Sequence, residues 1–492
     1  MEDNSLERKE KGLSAWQLTM MALGTVIGGS FFLGSSVAIK AAGPAIIIAY
    51  IFGGLLVYFI LFALSEMTVL NPDSGSFRTY AAHAFGPGMG YVVGWVYWTG
   101  MVLAMSSEAT AVSILVKEWL PRISMPLLGS AIIIVVTLLN LLGADKLSKL
   151  ESGLAAVKIF AIIAFIIIAL LLIIGIFPGT PAVGIGEMAN EPFMPGGVMS
   201  VAGSMLIVIF SYAGFEVIGL ASSEADHPKV TVPKAINYTV FGLVGLYIIS
   251  VTVLLTLIPT ANLNEETSPM VAALNRYGIG WAGTAINIVL ITAILSTMLA
   301  AMFGLGRMMR SLAEEGHATE WLKDEKEVPY RGILFSGTCM LAGLGLGFLV
   351  PRVYLFLISS GGFALLFTYG VIMATHIRFR RKNGRPDGKC RLCGFPYSSL
   401  FVLISIVIAM ISMPFVPGQT AGLIAGLAMV VFYSMSYYVI KYLKNVQKNK
   451  TARNVTDSNG YRENLSLEFA EELTEFKSKS GNKNNNREKG KK

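Results

Sequence analysis

The sequence predicts an all-α membrane protein of about twelve transmembrane helices, with the first and sixth broken at mid-membrane depth. Three observations predict it. The 492-residue chain is 54% hydrophobic and 14% charged, with a mean hydropathy of +0.62, whereas a soluble domain carries roughly 25% charged residues. Apolar runs of about 20 residues, each enough to cross ~30 Å of hydrocarbon, recur between residues 14 and 440. Two of these runs are interrupted at their centres by glycine and small polar residues, at Gly24-Thr-Val-Ile-Gly-Gly-Ser-Phe-Phe-Leu-Gly34 and at Phe210-Ser-Tyr-Ala-Gly-Phe-Glu216.

Charge placement sets the orientation. The formal charge of +8 does not point to nucleic acid, because the basic residues follow the topology. With the N-terminus inside, the short inner segments hold 20 Lys and Arg and the outer ones hold five, Lys40, Lys117, Arg122, Arg276 and Arg352, which is the positive-inside bias. Both termini are expected to be cytoplasmic. The polar first ten residues and the long run that follows give no cleavable signal peptide. Cys339 lies in an apolar span, and Cys390-Arg-Leu-Cys393 has no second ligand pair, so neither a disulfide framework nor a metal site is expected.

The expected organisation is a cytoplasmic tail at 1–13, a first set of five helices at 14–178, a second at 197–378, two further helices at 397–440 and a polar tail at 441–492. In the first span, glycine costs roughly 0.5–1 kcal/mol relative to alanine, and Gly28-Gly29-Ser30 frees backbone groups that lipid cannot satisfy. The stretch suits either a break lining a cavity or close packing through Gly24-xxx-Gly28. A second span runs from about residue 45 to Glu66 and Asn71-Pro72. Then comes a polar turn, a short amphipathic piece and a third span, read in Asn71-Pro-Asp-Ser-Gly-Ser-Phe77 and Gly94-Trp-Val-Tyr-Trp98.

With Gly24–Gly34, these motifs resemble the amino-acid permeases of the amino acid–polyamine–organocation superfamily. The third span carries Glu108, and a carboxylate inside a membrane span is a functional suspect. A fourth span (about 125–143) and a fifth (about 151–177) follow, the fifth containing Lys158, roughly 10 Å from its start at 1.5 Å per residue.

Met194-Pro-Gly-Gly197 opens the sixth span. The first and sixth spans each open a set of five, the inverted-repeat arrangement of leucine-transporter type that puts a site at the bilayer midplane. The sixth span is similar to that of the same permeases, and so is the loop Ser311-Leu-Ala-Glu-Glu-Gly-His-Ala318 with Val328-Pro-Tyr330 after the eighth span. The resemblance covers roughly residues 12–380. A seventh span (about 236–258) and a ninth and tenth complete the set, with Ser359-Ser-Gly-Gly362 a small-residue weak point in the tenth. Spans at about 398–416 and 419–440 lie outside the repeat. The tail from Lys441 is too poor in apolar residues to form a core.

An amino acid's invariant part is one carboxylate and one ammonium, and broken helices offer partners for both: free N–H groups where the outer half of the first helix begins, and free carbonyls where half-helices end. Carried to matching positions, the resemblance implies the carboxylate on Gly28, Gly29 and Ser30, the ammonium on carbonyls of Val26, Phe210 and Ala213, and Phe210 as the aromatic gate, with Ser211 also among the substrate-binding residues. Glu216 would hold the site together and Glu108 would be a side-chain pocket residue. Where the family has Gly-x-Gly, this chain has Gly28-Gly29-Ser30, so a hydroxymethyl enters the pocket. The resemblance further implies that Lys158, followed by Ile159, replaces a coupling sodium ion, with Gly24, Ser296 and Thr297 as partners. No cofactor is expected beyond the coupled proton.

The expectation is therefore a secondary transporter, not an enzyme, that imports neutral amino acids by alternating access and proton symport across the cell membrane, its partners being the small-molecule substrate and the bilayer. An exchanger is the alternative, and a transporter-like nutrient sensor a further one. No Gly-x-x-x-x-Gly-Lys-Ser/Thr motif for ATP is present. The four histidines (His83, His227, His317, His376) fall near the cytoplasmic side of this topology.

Overall fold

The computed structural model describes residues 12–71, 76–176, 182–324, 326, 328–386 and 388–446. The chain divides into two compact units, Met1–Tyr433 and Ser434–Lys492, and the sites below lie in the first. Residues 72–75 and 177–181 and those beyond 446, where the sequence suggests a polar turn, an outer loop and a polar tail, fall outside the described residues.

The described residues form helices and turns. These are α1 (Ala15–Val26), a π-helical turn at Ser30–Gly34, α2 (Ser35–Ala42), α3 (Ile46–Leu70), α4 (Ser76–Phe85), α5 (Pro87–Val116), α6 (Met125–Asn140), α7 (Ala144–Ile174), α8 (Gly197–Ser211) and α9 (Glu216–Leu220). There follow α10 (Pro228–Leu257), α11 (Pro269–Arg276), α12 (Gly280–Glu314), α13 (Tyr330–Gly347), α14 (Val353–Asn383), α15 (Tyr397–Ser412) and α16 (Thr420–Val446). Among the described residues eight helical segments are long and apolar enough to cross a membrane, with α6 and α8 as shorter apolar helices.

Local sequence explains the ends. Ser14 caps α1 by accepting the Gln17 N–H at 3.3 Å while the Gln17 side chain accepts the Ser14 N–H at 2.9 Å, a reciprocal capping box. Just before it, Leu13 donates to the Glu224 carbonyl and accepts from the Asp226 N–H, both at 2.9 Å, pinning the chain's start to the exit of the sixth span. α7 begins at Ala144 rather than near 151, since no glycine or proline stands between them to stop it. Lys158 is thus fourteen residues along its helix, about 21 Å rather than about 10 Å. α10 begins at Pro228 rather than near 236, because proline is tolerated in a first turn where its missing N–H is not needed.

The tenth span, α14, runs unbroken through Ser359-Ser-Gly-Gly362. Those glycines serve close packing instead: a Cβ on Gly361 would lie 2.9 Å from the Gly100 carbonyl of α5, and one on Gly362 would lie 2.8 Å from Leu206 of α8.

Two ion pairs, one half-buried and one buried, fasten one end of the bundle. Arg78 of α4 bonds Glu315, just past α12, and donates to Ser311 at 2.7 Å. Glu66 of α3 pairs with Arg380 of α14, lies 3.3 Å from His376 and accepts the Leu392 N–H at 2.8 Å. The loop bearing Cys390 and Cys393 is thereby strapped to α3 and α14. Leaving either charge unpaired would be costly.

Candidate functional site

The first span does break. α1 stops at Val26, Ile27 is extended, and the chain resumes as the π-helical turn from Ser30, a form that recurs at functional sites. The sixth span stops at Ser211 and resumes at Glu216. Between them Gly214 has φ +103°, a conformation that suits glycine, and a Cβ there would lie 2.8 Å from the Thr25 carbonyl. The hydroxyl of Thr25 donates back to the Gly214 carbonyl at 3.1 Å, so the two breaks are bonded face to face.

A cavity of about 860 Å³ opens at this junction and extends to Arg307, Arg310 and Glu314 at the end of α12. Val26, Gly28, Ser30, Phe210, Ala213, Glu216, Glu108 and Thr297 all line it. Met101, Ala104 and Met105 of α5 make the adjoining wall apolar. Away from Arg307, the breaks back onto an aromatic plug in which Phe31 stacks on Tyr247 at 3.9 Å between centroids, with Tyr50 and Tyr212 against them.

The groups freed by the breaks have specific partners. The Gly29 N–H donates to the Glu108 carboxylate at 2.8 Å, the Tyr354 hydroxyl donates to the Gly29 carbonyl at 3.3 Å, and the Thr297 hydroxyl to the Ile27 carbonyl at 3.1 Å. Glu108, on the third span, is 3% exposed, and a Cβ on Gly29 would come within 2.5 Å of its Oε2. Across the gap the Ser30 hydroxyl donates to the Phe210 carbonyl at 3.4 Å. Ser211 and Gly29 are not in the lining: the Ser211 hydroxyl donates to Ile207, and its carbonyl accepts the Tyr247 hydroxyl at 3.0 Å.

Glu216 organises the second break. Its carboxylate accepts the Gly214 N–H at 3.0 Å and the hydroxyls of Tyr97 and Tyr369, each at 3.1 Å. Tyr97 belongs to the Gly94–Trp98 motif, so the sequence carried a sign of it. Tyr354 and Tyr369 both lie on the apolar α14, with no motif to mark them.

Lys158 is fully buried and does not snorkel. Its ammonium donates to the Gly24 carbonyl at 2.6 Å and to the Thr297 hydroxyl at 2.9 Å. One side chain of α7 therefore ties α1 to α12 at the first break. Ser296 is buried beside Thr297 on α12.

Apolar helices around a central cavity, with two helix breaks facing one another in its wall, define a polytopic membrane transport protein. A family model described as amino acid permease matches residues 17–454, and the chain belongs to that family. A gamma-aminobutyric acid permease of Bacillus subtilis (strain 168) is 31% identical over 451 residues, 89% of this chain and 95% of the relative. A gamma-aminobutyric acid permease of Escherichia coli (strain K12) is 33% identical over 428 residues, 84% and 90% of the two chains. An aromatic amino acid transport protein of Salmonella typhimurium (strain SL1344) is 30% identical over 454 residues, 91% and 98%. The relatives are transporters rather than enzymes, and this chain is a multi-pass membrane protein of amino-acid transport.

Proposed function

We propose that the protein imports neutral amino acids by alternating access with a coupled proton, through twelve membrane helices of which the first ten form two inverted sets of five. The observation that carries this reading is the pair of facing breaks at Ile27–Gly29 and Tyr212–Phe215 in the wall of one cavity. A half-helix beginning near Ser30 offers N–H groups and a positive dipole end to a carboxylate, and the ends at Val26 and Ser211 offer carbonyls to an ammonium.

The substrate's carboxylate displaces Glu108 from the Gly29 N–H, and its ammonium lies against the carbonyls of Val26, Phe210 and Ala213. Phe210 covers the substrate, and the substrate's side chain points toward Met101, Ala104 and Met105 of the same lining, a surface suited to uncharged groups. Glu216 holds the second break rather than touching substrate. Relatives named for gamma-aminobutyric acid and for aromatic amino acids match this chain at 31% and 30% identity, so the class proposed here stops at neutral amino acids.

Lys158 supplies the coupling. A cation that bonds α1 and α12 through Gly24 and Thr297 and can exchange a proton would link its own charge to the positions of those helices. Both termini face the cytoplasm, which makes the described cavity open inward. Uptake of a labelled amino-acid panel into proteoliposomes tests the reading. Net accumulation under an inward proton gradient supports symport; counterflow without net accumulation would assign exchange instead.

A further inference from the structure

A second cavity, of about 630 Å³, lies between the end of α3, helix α4 and the last turns of α14. Arg78 ties α4 to the end of α12, so this cavity is at the same end of the bundle as Arg307 but separate from the central one. His83 of α4 and Arg378 and Lys382 of α14 line it, and among its described lining residues none is acidic.

Arg378 and Lys382 stand four residues apart on one helical face, as neighbours one turn apart do. Cations at a helix end also complement its dipole, and that alone would account for basic residues on the last turn of α14. It does not account for two of them converging on a cavity. Arg380, between them in sequence, is held by Glu66, whereas neither Arg378 nor Lys382 has an ion-pair partner among the described residues. Arg378 instead lies over the Phe85 ring, 5.4 Å from its centroid.

An independent observation comes from Thr375, also in the lining. It is 1% exposed, and its hydroxyl is buried with no hydrogen-bond partner. Buried hydroxyls are nearly always bonded, so an orphan on a residue that lines a cavity calls for a group the protein does not itself supply. Two cations with no ion pair among the described residues, a histidine and a hydroxyl donor together suit a phosphate. At the lip, Leu70 and Phe85 are each 41% exposed, an apolar rim along which lipid chains can lie.

We propose that this cavity binds a phosphate-bearing anion, with Arg378 and Lys382 neutralising it and the Thr375 hydroxyl donating to one of its oxygens. Basic pockets between membrane helices take anionic head groups in this way. The apolar lip favours the phosphate of a phospholipid over a soluble one.

The test uses the purified full-length protein in neutral detergent, offered phosphatidylglycerol, phosphatidylcholine or inorganic phosphate, with adducts counted by native mass spectrometry and stability followed by thermal melting. Phosphatidylglycerol should bind and raise the melting temperature. The Arg378→Ala/Lys382→Ala variant, altered only at exposed side chains, should need about 30-fold more of it. Thr375→Val, of similar size, should weaken binding in the same assay without lowering the melting temperature of the lipid-free protein. Competition by inorganic phosphate, lost in the double variant, would identify a soluble phosphate as the ligand and uphold the site. Equal binding of the two lipids, or equal binding by wild type and the double variant, overturns the proposal.

Discussion

The carboxylate of Glu108 accepts the backbone N–H of Gly29 at 2.8 Å. A helix with no break of its own thus closes the break in another, at the donor an amino acid's carboxylate would need. Two carboxylates cannot share that donor without repulsion. Removing the charge at position 108 should therefore ease substrate entry. In scintillation-proximity binding at neutral pH, Glu108→Gln is expected to bind neutral amino acids up to about tenfold more tightly, worth ~1.4 kcal/mol. Weaker binding by this variant would mean that Glu108 instead holds the substrate's ammonium.

Lys158 bonds Gly24 and Thr297 together. Lys158→Met keeps a long apolar stem but removes the charge and both hydrogen bonds. The variant is expected to lose accumulation driven by a proton gradient, and wild-type uptake to be indifferent to sodium. A strict sodium requirement in the wild type, or full proton-driven accumulation by the variant, sinks the coupling assignment.

Ser30 is 4% exposed and bridges the two breaks through the Phe210 carbonyl. Ser30→Gly removes the bridge and its volume while leaving the backbone N–H in place. A broader set of competing amino acids should then inhibit uptake, bulky side chains gaining most. An unchanged competition profile would remove Ser30 from the pocket.

Orientation has its own readout in the loop after α14. Cys393 is exposed; Cys390 is buried, and burial together with the nearby Glu66 carboxylate pushes its thiol up to about 12. Because a thiol reacts as its thiolate, Cys390 stays inert at pH 7–9, and Cys393 alone should take a membrane-impermeant maleimide in a Cys339→Ala background. Labelling is expected in inside-out vesicles and not in right-side-out ones. The reverse pattern would place both termini outside.

Much of this was legible in the sequence because membrane burial leaves few choices. Gly28 and Gly29 suit either a break or close packing in a membrane helix, and the structure places breaks at Ile27–Gly29 and, around Gly214, at Tyr212–Phe215. Lys158 stood out as a lone cation in a span, and Gly24 and Thr297 are indeed its partners. Composition does not separate a glycine that breaks a helix from one that lets two helices touch, and Gly361 and Gly362, a weak point by composition, are packing contacts in the structure. Nor could it show that Glu108 reaches Gly29, or that Tyr97 and Tyr369 converge on Glu216, since these pairs are joined only by tertiary packing.

The most direct test of the central claim, that an amino acid is held by backbone groups at the first break, is uptake of labelled neutral amino acids by Gly29→Val at wild-type protein levels. A Cβ at this position would lie 2.5 Å from Glu108 Oε2, and the larger valine covers the N–H that the substrate must reach. Insertion and expression should persist while proton-driven uptake falls at least about 100-fold, the loss of ~3 kcal/mol of charge-assisted hydrogen bonding. Normal uptake by Gly29→Val would contradict the account.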